Sequence, residues 1–436
     1  MDLHSVAIIA IVATIFALIS KRLETSILTP PLVFTAVGLA GGAAGLGWVR
    51  LEFDHGVIHG LAEFTLVIAL FADAARIDLR RLRADHSLPV RMLFIGMPLI
   101  ILAGVAAGLA LPLGLGLWET ALLAAILAPT DAALGQAVAA SPLVPVRVRQ
   151  ALNVESGLND GIALPVVLVF AALASFMGDA DGERNWLVFG ALQVSLGPAV
   201  GVAAGFGGGR LIDWAAKREW MSEGFEGAAV LGLAILAFAG AELVGGNGFI
   251  AAFTAGLVFG DQVRGRCRFL FEFAEAEGQI LVLVTFLIFG AALLPDALGA
   301  LSWPVVVYAL LSLSVVRLAP IALSLVGLKL RLPTIVFLGW FGPRGLASIL
   351  FAIFVLEDMW ITAGDTILTT TLVTVALSIL LHGVTAAPAA RWYGALASQM
   401  GECVESKPVA EMRTRTGMVE VGDKPSRTHD FETPNP

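Results

Sequence analysis

The chain has 436 residues, 58% of them hydrophobic and 14% charged, against roughly 25% charged in a soluble globular domain. That much apolar surface cannot be hidden in one or two aqueous cores, which excludes an ordinary soluble enzyme and makes a lipid bilayer the solvent. A net charge of −8 argues against a nucleic-acid partner, and the two cysteines, Cys267 and Cys403, lie far apart and read as free thiols.

The first apolar run, Leu3 to Ser20, has no basic residues ahead of it and no small-residue cleavage site behind it, so it reads as a membrane span and not a signal peptide. Further stretches of about 17–25 apolar residues follow near 27–47, 56–75, 89–111, 118–138, 150–177, 186–209, 224–244, 248–262, 275–294, 301–327, 333–356 and 363–387. This gives about 13 transmembrane helices, with the count resting on the short ninth run. Basic residues alternate between the loops, as the positive-inside rule requires. One set holds groups such as Lys21 and Arg22; Arg80, Arg81 and Arg83; Arg147 and Arg149; Arg264, Arg266 and Arg268; and Lys329 and Arg331, whereas the other holds only Arg50 and Arg184. The N-terminus is then outside and the C-terminus inside. Residues 1–390 form one all-α polytopic membrane domain, and 391–436, mixed in charge with several prolines and glycines, read as a short disordered cytoplasmic tail.

Ionisable residues inside spans are costly, roughly 2.5–3.5 kcal/mol at a helix centre, so those present carry information. They are Asp73 in span 3, Asp131 in span 5, Glu155 and Asp160 in span 6, Arg317 in span 11 and Arg344 in span 12. Glu63, Glu226 and Glu242 lie nearer span ends and read as solvated, and all six histidines read as lying outside the span centres. Four acids against two arginines leave a negative excess that needs protons or bound cations. Removal from water favours the neutral form of a carboxyl group, so proton and metal cation can compete for one site. On span 6, Glu155, Ser156, Asn159 and Asp160 fall within an arc of about 140°. Such an oxygen-bearing face suits a hard monovalent cation. It would otherwise serve to hold helices together.

Spans 5 and 12 are interrupted in mid-membrane, by Leu127-Ala-Pro129-Thr130-Asp131 and by Gly342-Pro343-Arg344-Gly345. Broken helices in corresponding positions of two halves point to a transporter with inverted repeats, here spans 1–6 and 8–13 with span 7 as linker. If the breaks cross, Asp131 meets partial positive helix ends and Arg344 partial negative ones.

Together, Ala128-Pro-Thr130-Asp131, Asn153-Val-Glu155-Ser156-Gly-Leu-Asn159-Asp160-Gly161 and Gly342-Pro-Arg344-Gly345 resemble the monovalent cation:proton antiporter family, in its sodium/proton exchanger branch marked by an Asn-Asp pair. The resemblance covers residues 1 to about 390. It implies that Asp160 carries the transported ion or proton, that Ser156, Thr130 and Asp73 complete an oxygen shell for Na+, and that Asn159 orients the site. It further implies that Glu155 pairs with Arg317, that Asp131 and Arg344 compensate the crossed helix ends, and that the chain forms a homodimer in the cell membrane. The chain departs from the family in carrying Ala132 after the Thr-Asp pair, where proline is frequent, and Asp73 where glutamate is frequent.

The function expected is exchange of Na+ or Li+ for H+, electroneutral and one for one, because Asn159 cannot carry a second proton. A K+/H+ antiporter of the same family is the alternative, and a cation channel a more distant one. No lysine follows a glycine, which removes a Walker A sequence and ATP-driven pumping. No acyl-transfer or His-Glu-x-x-His constellation is present, so an enzyme is not expected. No cofactor is implied, Na+, Li+ and H+ being cargo.

Overall fold

The structure is a computed structural model that describes residues 3–23, 26–48, 55–77, 87–139, 141–178, 186–263, 282–359, 361–399 and 405. Every regular element among them is helical: α1 (Leu3–Leu23), α2 (Pro30–Gly41), α3 (His55–Arg76), α4 (Ser87–Ala110), α5 (Leu117–Ile126), α6 (Ala132–Ala139), α7 (Val146–Gly178), α8 (Trp186–Lys217), α9 (Glu223–Leu243), α10 (Gly248–Val263), α11 (Val282–Gly299), α12 (Trp303–Ser324), α13 (Leu332–Trp340), α14 (Leu346–Asp358) and α15 (Gly364–Ser398). Seven of these, α4, α7, α8, α9, α11, α12 and α15, contain apolar stretches of 18 residues or more, long enough to cross a membrane. Among the described residues, the apolar runs of the sequence overlap these helices, with α5 and α6, and α13 and α14, dividing single runs in two; residues 275–281 of the run at 275–294 lie outside the described residues. Cys267, Cys403 and the basic residues at 50, 80–83, 184 and 264–268 lie outside the described residues.

Both divisions follow from local chemistry. Proline lacks an N–H and disfavours a helical conformation in the residue before it, so α5 stops ahead of Pro129 and α13 ahead of Pro343. Pro98 in α4 and Pro295 in α11 stand just beyond π-turns at Met92–Gly96 and Phe289–Leu293. α12 is irregular at Ser314, with φ −114° and ψ −99°, three residues before the buried Arg317.

The helices α4–α7 and α12–α15 pack around the two divided spans. A second group, α3 with α8, α9 and α10, packs beside them and meets the first mainly through α7. Here α10 needs close approach: a Cβ on Gly256 or Gly260 would overlap the backbone of Phe71 and Ala75 in α3. That contact holds the end of α3, where Asp73 sits, next to α7.

The boundary expected at residue 390 differs from the structure. α15 runs on to Ser398, because Tyr393 is buried and stacks on Phe337 with ring centroids 4.3 Å apart, while the single Arg391 is left exposed. Glu405 is also buried, its Oε1 accepting the Arg331 N–H at 2.8 Å and the Thr334 hydroxyl at 3.1 Å at the start of α13. The remainder of the expected tail, residues 406–436, lies outside the described residues.

Candidate ion site at the crossed breaks

The two breaks meet. The Asp131 N–H donates to the Pro343 carbonyl at 2.8 Å, joining the non-helical segments directly. On one side lie two helix N-termini: Asp131 Oδ2 accepts the Leu346 N–H of α14 at 2.7 Å, and Oδ1 accepts the Leu134 N–H of α6 at 3.4 Å. On the other side lie two helix C-terminal ends: Arg344 Nη1 donates to the carbonyls of Ala128 at 3.0 Å, Pro129 at 3.3 Å and Gly342 at 3.3 Å. A carboxylate thus faces partial positive charge and a guanidinium faces partial negative charge. Gly342 and Gly345 make room for this. A Cβ on Gly342 would overlap the Arg317 guanidinium, and one on Gly345 would overlap the Asp131 carboxylate.

α7 brings its polar face against the first break. Asn159 Nδ2 donates to the Thr130 hydroxyl at 2.6 Å, and Thr130 Oγ1 and Ser156 Oγ share a hydrogen bond at 3.0 Å. All three residues are buried, and Asn159 Oδ1 is a buried acceptor with no hydrogen-bond partner among the described residues. Asp160 follows on the same helix, half-buried, with its Oδ1 shielded from solvent. Asp73 is half-buried where α3 approaches α7. Its carbonyl lies 3.9 Å from the position of a Cβ on Gly157, the neighbour of Ser156.

One turn away, Glu155 Oε2 and Arg317 Nη2 form an ion pair at 2.9 Å with side-chain exposures of 4% and 1%. This pair ties α7 to the irregular α12. Neither buried arginine hydrogen-bonds to Asp160: Arg317 bonds to Glu155, Arg344 bonds to main-chain carbonyls, and the other guanidinium nitrogens, Nε and Nη1 of Arg317 with Nε and Nη2 of Arg344, have no hydrogen-bond partner among the described residues.

The structure also draws in residues the sequence did not single out. His382 is 1% exposed and lies inside α15, so the expectation that every histidine sits away from the span centres fails for it. Its Nε2 is 2.9 Å from the Trp340 carbonyl and its Nδ1 is 3.2 Å from Ser378 Oγ and 3.0 Å from the Ser378 carbonyl. Ser378 Oγ in turn accepts the Arg344 N–H at 2.7 Å. Ser348 bridges the two broken spans, donating to the Ile126 carbonyl at 2.7 Å. A signal was present: Thr370, Thr374, Ser378 and His382 recur every fourth residue, one polar face on an apolar helix.

Among the described residues no three His, Cys, Asp or Glu side chains are grouped to hold a metal ion. The oxygen-rich feature is instead a set of hydroxyls and an amide beside one carboxylate. The chain matches the family described as sodium/hydrogen exchanger, transmembrane, over residues 7–392. It is 27% identical over 393 residues to the K(+)/H(+) antiporter NhaP of Alkalimonas amylolytica, covering 88% of this chain and 65% of that protein. It is 26% identical over 352 residues to the K(+)/H(+) antiporter NhaP2 of Shewanella sp. (strain MR-4), covering 80% and 59%. The chain therefore spans less than two thirds of the length of these relatives. Two structures of the sodium proton antiporter MjNhaP1 from Methanocaldococcus jannaschii share its fold, with TM-scores of 0.70 and 0.73 at 21% and 19% identity, over 91% and 92% of this chain and 99% of that one.

Proposed function

The chain belongs to the sodium/hydrogen exchanger family, a family of transporters and not of enzymes, and from that premise we propose that it exchanges a monovalent cation, Na+ or Li+, for H+ at Asp160. The observation that supports this most is the buried cluster of Thr130, Ser156 and Asn159 at the crossing, with the Asn159 Oδ1 acceptor unsatisfied and Asp160 adjoining it. A cation seated there takes hydroxyl and amide oxygens from the first break and from α7 and a carboxylate from Asp160, with Asp73 approaching from α3. Oxygen donors of this kind suit a hard monovalent ion.

Coupling follows from exclusion. The carboxylate of Asp160 holds a proton or a cation and not both, and the bundle around the crossing moves across the membrane in either loaded state. Asn159 cannot ionise, so one cation exchanges for one proton and no net charge moves. The protein acts as a homodimer in the cell membrane, N-terminus outside, with thirteen crossings and its two halves inverted relative to one another. A second reading has K+ as the cargo, and the names of the NhaP and NhaP2 relatives favour it.

The test uses the purified full-length chain in proteoliposomes with pH-sensitive and voltage-sensitive dyes, with Na+, Li+ and K+ offered in turn. Cation-driven proton movement insensitive to an imposed potential is expected, and it should vanish in Asp160→Asn. Undiminished exchange by that variant would remove Asp160 from the central role. A strong response to the potential would overturn the one-for-one exchange. The order of activity among the three cations decides between the sodium and potassium readings.

A further inference from the structure

We infer that His382 is a positioning residue of the cation site, acting through Ser378 and Arg344 on Thr130. The inference rests on the antiport reading above.

Four links connect them. The Trp340 carbonyl at the end of α13, which also takes the Gly342 N–H at 2.9 Å, can only accept a hydrogen bond, so His382 Nε2 carries a proton and donates to it at 2.9 Å. On the neutral ring Nδ1 is then an acceptor, and the Ser378 hydroxyl at 3.2 Å is the donor facing it; a doubly protonated ring would donate Nδ1–H to the Ser378 carbonyl at 3.0 Å instead. In both states Nε2–H serves Trp340. Ser378 Oγ accepts the Arg344 N–H at 2.7 Å. The Arg344 side chain then reaches across the crossing to the carbonyls of Ala128 and Pro129, at 3.0 and 3.3 Å. Pro129 immediately precedes Thr130, whose hydroxyl receives Asn159 Nδ2.

Two neighbouring residues one helical turn apart on α15, Ser378 and His382, therefore hold both ends of the second break, its last carbonyl and the amide of Arg344. The broken ends have no helix of their own to hold them. Fixing the Arg344 backbone fixes where its guanidinium can reach, and that sets the height of the Ala128-Pro129 segment and of the Thr130 hydroxyl. His382 touches no cargo. Its influence is on the geometry of the oxygen shell, so it bears on cation affinity and not on the proton carried by Asp160.

The experiment measures half-saturating cation and maximal rate in proteoliposomes for the parent chain, His382→Phe, His382→Gln and Ser378→Ala, each checked for monodispersity by size exclusion. Phenylalanine keeps the ring and removes both hydrogen bonds. Glutamine restores an N–H for Trp340 and an oxygen to accept the Ser378 hydroxyl. We expect His382→Phe and Ser378→Ala to raise half-saturating cation about three- to tenfold, a net loss passed on to the site on the scale of a neutral hydrogen bond, with maximal rate changed less than about twofold. His382→Gln should return half-saturation to within about twofold of the parent. If His382→Phe does not fold, the Ser378→Ala and His382→Gln pair carries the same comparison. Parental half-saturation in Ser378→Ala, or equal impairment in the Gln and Phe variants, overturns the positioning role alone. Absence of exchange by the parent chain with every cation overturns the antiport reading on which it rests.

Discussion

The Glu155–Arg317 pair offers the sharpest test of how the crossing is held together. At 2.9 Å and an effective dielectric of about 20, the attraction between unit charges is about 6 kcal/mol. Both groups were taken out of water to form it, and Arg317 Nε and Nη1 have no hydrogen-bond partner among the described residues, so the desolvation penalty offsets much of that gain. Removing one partner should be far worse than removing both. Glu155→Leu leaves the guanidinium buried without its carboxylate, and Arg317→Met leaves the carboxylate buried without its guanidinium. Each should cost about 3–5 kcal/mol, while the double substitution should lie between neutral and about 4 kcal/mol more stable. The measurement is unfolding of detergent-solubilised protein followed by tryptophan fluorescence, analysed as a double-mutant cycle. Two single variants that each lose less than about 1 kcal/mol, or a double variant whose loss equals their sum, would refute a coupled buried pair.

Two further expectations follow from the same geometry. Gly345→Ala puts a methyl where the Asp131 carboxylate now sits, breaking its bond to the Leu346 N–H, so a loss of about 1.5–3 kcal/mol in unfolding is expected; wild-type stability would show that Asp131 has room to move. Thr130→Val keeps the shape of the side chain but leaves Asn159 Nδ2 without its acceptor, and about a tenfold rise in half-saturating cation is expected from a loss near 1.4 kcal/mol, read in the same vesicle assay, where an unchanged value would exclude the hydroxyl from the shell.

Much of the fold was legible because a bilayer leaves the backbone few options. Helix positions follow from apolar runs, and the divided spans follow from Pro129 and Pro343, which cannot continue a helix. Charge in lipid is costly enough that the residues carrying it were informative: Asp131, Glu155, Arg317 and Arg344 all lie at or next to the crossing. The polar residues on α15 were harder to see. Serine and threonine can bond to the carbonyl four residues back in their own helix, as Thr370 and Thr374 do, so their presence costs little and attracts no notice. Only the tertiary approach of α13 distinguishes Ser378 and His382 from them. The end of α15 was obscured for a related reason. Arg391 looks like a membrane exit, but one exposed arginine does not end a helix whose next turn buries Tyr393.

The crossing also explains why the negative excess counted in the sequence does not fall on all four acids alike. Glu155 is matched by Arg317. Asp131 faces two helix N-termini and Arg344 two helix C-terminal ends, each equivalent to roughly half a unit charge of the opposite sign, so each is compensated by backbone and not by the other. The two arginines are thereby committed, and neither bonds to Asp160. Both guanidinium groups are held on other partners, Arg317 on Glu155 and Arg344 on main-chain carbonyls. In the exchange proposed for this chain, a cation enters where the oxygens of Thr130, Ser156 and Asn159 replace its water, so the position of Thr130, and whatever fixes it, should matter as much to selectivity as the carboxylate itself.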